Sequence, residues 1–112
     1  MLHITPEMLA AVYDLLRTTP PFKRWNLPHS DDIEFHVIGT HQKLADYCDH
    51  TIRVSSASVG TLQTLLAVMA HEMIHIKQDA AGTCVSGVEH NGEFQRLARQ
   101  ACTIHVWDYK NF

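Results

Sequence analysis

Three side chains within five residues carry the chemistry that stands out first: His71, Glu72 and His75, in His71-Glu72-Met73-Ile74-His75. On a helix, residues i and i+4 share a face with Cβ atoms about 5–6 Å apart, so two imidazoles can converge on one divalent ion. Glu72, one residue on, points beside that ion rather than at it. There it can accept a proton from metal-bound water without becoming a ligand. This H-E-x-x-H spacing is the arrangement of zinc-dependent peptide hydrolysis. A catalytic zinc also needs a third protein ligand and an open position. The candidate is His90, which precedes the last predicted helix in His90-Asn91-Gly92-Glu93-Phe94.

The element that must position the motif is predicted from Thr61 to about Gln78, a stretch without glycine or proline. Leu62, Leu65, Leu66, Met69, Met73 and Ile76 fall on one stripe at spacings of three and four, with His71 and His75 roughly opposite. Ala67, Ala70 and Ile74 fill the other flank, so the helix is expected to be buried around most of its girth. An unpaired imidazole or carboxylate placed there costs several kcal/mol (about 2–7 for a neutral polar group) unless compensated, and a divalent metal compensates all three groups at once. Ahead of it, Thr5-Pro6-Glu7 reads as a helix start and Pro20-Pro21 as its stop. Ile33 to Val37 and Thr51 to Ser55 alternate as strands, with a weaker strand from Lys43 to Cys48. A further helix is expected from about Asn91 to Ala101, then a short terminal strand over Thr103 to Trp107. The resulting class is α+β: one domain over residues 1–112, with a small antiparallel sheet of about three strands packed on helices and the motif on a long central helix.

With the motif helix and the later histidine in place, the sequence resembles the SprT-like metallopeptidases. These pair H-E-x-x-H with a later H-G-x-x-F type segment, whose histidine is the third ligand and whose aromatic packs in the core. His71, Glu72 and His75 match the first motif, and His90 with Phe94 keeps the histidine-to-aromatic spacing of the second, although Asn91 stands where glycine is usual. The resemblance runs from about Ile33 onward and implies a zincin-like fold. It also implies a zinc-dependent endopeptidase, with one zinc per chain on His71, His75 and His90 and a water activated by Glu72. An ImmA/IrrE-type peptidase is the alternative, with Glu93 as third ligand; a non-catalytic zinc-stabilised module is another, with Cys84 closing the site. With the chain ending at Phe112, no zinc ribbon or long DNA-binding tail is expected.

Composition bounds the partners. Nine Lys and Arg against twelve Asp and Glu give a net charge of −3, which argues against broad binding to nucleic acid or anionic membrane. The expected partner is a protein or peptide substrate, with direct DNA binding weak or absent and any recruitment to DNA made through a partner protein. Arg96 and Arg99 are the best candidates for a small basic patch. Pro6, Glu7 and Asp14 interrupt the N-terminal apolar stretch, so no signal peptide or membrane span is expected. Three cysteines without a C-x-x-C pair read as reduced thiols in a cytoplasm. His3, His29, His36 and His50 read as surface histidines. His41, His105, Tyr47 and Tyr109 remain open as groups able to stabilise an oxyanion, and Asp79 or Glu89 could orient a ligand imidazole. A sheet edge beside the metal is expected to hold extended substrate by strand addition.

Overall fold

The computed structural model describes residues 2–78, 92–109 and Phe112. Thr5 caps the first helix, α1 (Pro6–Arg17), through the Met8 amide, which donates to Thr5 Oγ1 at 3.1 Å. Two short 3-10 turns, Phe22–Trp25 and Ser30–Asp32, carry the chain to β1 (Glu34–Ile38). β2 (Ala45–Cys48) and β3 (Thr51–Ser55) follow, then α2 (Leu62–Gln78) and α3 (Gly92–His105).

The sheet is mixed, not antiparallel as the sequence suggested. Its order is β1-β3-β2, with β3 antiparallel to β2 but parallel to β1. Asp49 and His50 both adopt positive φ (51° and 59°), which makes a two-residue turn between β2 and β3 with the twist that hairpins favour. β2 therefore forms part of the crossover that a parallel β1–β3 pair requires, a connection of about a dozen residues. Across the inner face, Phe35, Ile52 and Tyr47 make one row and Val37, Val54 and Ala45 the next.

α1 and α2 cover that face. Leu9, Tyr13, Ile52, Val54, Leu65, Met69 and Met73 are fully buried between them and the sheet. On the other side of α2, Ile74 packs with Phe94, Leu97 and Ala98 of α3 in a second cluster. The central helix is thus apolar on two opposite flanks, as its composition required. α3 runs on through Thr103–His105, where a terminal strand was expected. It stops in a left-handed turn at Val106 (φ 60°), closed by the Trp107 amide on Cys102 O at 2.9 Å.

The reduced-thiol expectation fails for Cys48, which is disulfide-bonded, whereas Cys102 is a buried free thiol. Disulfide pairing depends on spatial proximity, and an odd count of cysteines carries no information about it. No described helix is long and apolar enough to cross a membrane.

Candidate metal centre and adjoining cleft

α2 begins under a side-chain cap, the Thr64 amide donating to Thr61 Oγ1 at 3.1 Å, and runs unbroken past the motif. His71 and His75 lie half-buried on one face, one turn apart, with their Nε2 atoms 3.3 Å from each other. Two imidazole nitrogens sharing a tetrahedral zinc, with bonds of about 2.0–2.1 Å, stand about 3.3–3.4 Å apart, so the pair fits such an ion. The same distance also suits an imidazole–imidazole hydrogen bond. The orientation of His71 is set from its other side: Nδ1 lies 2.9 Å from the backbone oxygen of Phe112. That oxygen only accepts, so Nδ1 carries the ring hydrogen and Nε2 presents its lone pair toward His75. Phe94 wedges the two rings, edge-on to His71 (centroids 4.9 Å) and stacked on His75 (4.8 Å). It is buried.

Glu72 is 4% exposed. Among the described residues, no hydrogen bond or ion pair reaches its carboxyl group. Burial, reinforced by the charge of Asp46 and partly offset by Lys43, pushes its pKa up to about 8. The carboxyl group lines the cleft without a described protein partner, and holding it ionised in so buried a place is costly.

Beside His71 and Glu72 opens a cavity of about 430 Å³. One wall is Leu44 and Ala45 at the start of β2, an edge strand of the sheet. The floor is Ala67 and Val68 on α2, and the far wall is Trp107 and Phe112. Trp107 stacks on Phe112 at 6.0 Å and on His105 at 4.6 Å. The sequence reading missed this aromatic wall and the Phe112 contact to His71. The density of aromatics at Trp107, Tyr109 and Phe112 was the available signal.

The other expected groups divide plainly. His90, with Cys84, Asp79 and Glu89, lies outside the described residues. Glu93, the alternative ligand, is exposed in the first turn of α3, and its Oε1 accepts from Gln78 Nε2 at 3.3 Å. Among the described residues no group of three or more His, Cys, Asp or Glu is gathered for a metal. His105 is engaged elsewhere, donating from Nε2 to Pro20 O at 2.7 Å. His3, His29, His36, His41 and His50 are exposed, and Tyr47 sits half-buried on the inner face of the sheet. The Arg99 guanidinium lies 4.9 Å over the Tyr109 ring. Compared with known proteins, the chain matches no family model, no curated sequence and no solved structure.

Proposed function

We propose that this chain is a zinc-dependent endopeptidase of SprT-like type, in which His71, His75 and His90 hold one zinc ion and Glu72 moves the proton. The observation that carries the reading is the pair of Nε2 atoms 3.3 Å apart with the unpaired, buried Glu72 carboxyl between their positions in sequence and at the mouth of a cleft. A zinc ion held there by the three histidines would supply Lewis acidity for a water molecule and a peptide carbonyl. The chain's own residues do the rest. Phe112 O and Phe94 fix the His71 ring, and the cleft holds the polypeptide. Glu72 accepts a proton from the attacking water and returns it to the leaving amine. Beside a cation held by the two imidazoles, Glu72 would favour its ionised form, the form that accepts a proton.

The substrate class is a protein or peptide, and the edge position of β2 beside the cleft supports binding of an extended segment. The net charge of −3 supports weak direct contact with DNA, so that any recruitment to DNA runs through a partner protein. The alternative with Glu93 as ligand is less well supported, because that carboxylate is already engaged by Gln78.

Metal analysis joined to an activity assay tests the reading. The purified chain is expected to hold one zinc and to cleave an unfolded protein. A chelator should stop the cleavage and added zinc restore it, while His71→Ala and His75→Ala lose zinc and activity together. His90→Ala should release zinc where Glu93→Ala does not. Undiminished cleavage by zinc-free protein would end the proposal, and the reverse result for His90 and Glu93 would move the third ligand to Glu93.

A further inference from the structure

The cleft beside His71 and Glu72 has a composition of its own. Away from those two residues its surface is built from Leu44, Ala45, Ala67, Val68, Trp107 and Phe112, with Gln63 and Thr64 on α2. Among the described residues no Lys or Arg contributes to it, and its carboxyl groups are those of Glu72 and Asp108. Small residues sit where the cavity needs room. Ala67 lies one helical turn before His71 on the same face, and Ala45 projects from the inner face of the edge strand. Large apolar residues, Trp107 and Phe112, close the opposite side. At about 430 Å³ the space lies within the range of formed ligand pockets, and it takes one large side chain together with neighbouring backbone.

We infer that this cleft is a specificity pocket for a large apolar side chain, aromatic or leucine-sized, next to the bond being cut. The inference rests on the peptidase reading and deepens it by naming what the substrate must carry. The pocket is continuous with the candidate centre, since His71 and Glu72 belong to the same lining. A side chain seated in it therefore holds the adjoining peptide bond beside Glu72. Burying an aromatic side chain in place of alanine releases apolar surface from water, and the difference corresponds to about 10–100-fold in specificity. An acidic side chain is opposed by loss of hydration on entering the apolar walls. Because Ala67 is the smallest part of the floor, enlarging it fills the pocket from below while leaving the ligand and proton-transfer groups in place.

The test uses the zinc-loaded full chain and blocked Ser/Gly peptides that each carry one variable residue: Phe, Leu, Ala, Lys or Asp. Cleavage next to Phe or Leu is expected to exceed that next to Ala by about 10–100-fold in kcat/KM, with Asp poorest. Ala67→Leu should reverse the order of Phe and Ala while leaving zinc content unchanged. Binding by the Glu72→Gln chain, read by calorimetry, separates this inference from the peptidase reading. If no peptide is cut but the Phe peptide still binds at least about tenfold tighter than the Asp peptide, the pocket stands and the peptidase reading falls. If all peptides are cut alike, or Ala67→Leu leaves the order unchanged, the pocket assignment is overturned and the peptidase reading survives. Neither cleavage nor selective binding overturns both.

Discussion

Two carboxylates on neighbouring elements, Asp46 and Glu72, face opposite fates. Asp46 stands on the outer face of β2, directly across from Arg53. Arg53 Nε donates to its Oδ1 at 2.7 Å, a second guanidinium nitrogen bonds to Oδ2, and Lys43 Nζ reaches Oδ2 at 2.6 Å. Partial burial would raise its pKa, but the hydrogen bonds from Arg53 and Lys43 outweigh that and hold it below the usual carboxylate range. Glu72 is the reverse: more deeply buried, engaged by no described hydrogen bond, and pushed up to about 8. A carboxylate that serves the fold is paired, whereas one left bare at the edge of a cleft is available to do chemistry. Ser55, the other buried polar residue among those described, sides with Asp46, because its hydroxyl donates to Thr40 O and its amide to Leu44 O at 2.8 Å.

The contrast breaks most visibly at Glu72. Glu72→Gln is expected to lower cleavage by about 10²–10⁴-fold while the chain keeps its zinc. Glu72→Leu should be equally inactive, yet raise the stability of the zinc-free chain by about 1–3 kcal/mol, because it removes a buried polar group that has no partner. Urea titrations of zinc-free protein check the second half. A clear loss of stability in Glu72→Leu would mean the carboxyl serves the fold after all.

Smaller effects are expected at the paired groups. Ser55→Ala should cost about 1 kcal/mol in the same titration and leave zinc content unchanged. The loss is modest because Thr40 O still accepts from Ser58 Oγ at 3.0 Å. Smallest is Asp46→Asn, at about 0–1 kcal/mol near neutral pH, since the pair is partly open to solvent. Its sign with pH is fixed. A depressed carboxylate contributes stability that is present above its unfolded pKa and lost as pH falls through the folded value. The difference between the native chain and Asp46→Asn should therefore hold at neutral pH and shrink in acid, below the ordinary aspartate range. A difference that grew in acid would contradict the pairing.

The legible parts of the molecule were those governed by local pattern. α2 was readable because Leu62 to Gln78 has neither glycine nor proline, and β3 because Thr51 to Ser55 alternates cleanly. The motif pair on one helical face followed from spacing alone. The parallel β1–β3 pairing was not legible, since alternation is the same in both kinds of ladder and the choice lies in where β2 is placed. The end of α3 was misread because Val106 holds the left-handed position where glycine normally marks a stop. Without that signal, Thr103 to Trp107 looked like a strand. The Phe112 contact to His71 joins residues 41 apart in sequence, beyond any local pattern.

The most direct measurement is zinc K-edge X-ray absorption on the chain loaded with one equivalent of zinc. The expected spectrum has a nitrogen and oxygen shell at about 2.0–2.1 Å and the outer-shell scattering of three imidazoles. The imidazole count should fall to two in His90→Ala, and it should fall again when His71 or His75 is replaced. A sulfur shell at about 2.3 Å, or imidazole scattering unchanged by loss of His71 and His75, would contradict a zinc centre built on this helix.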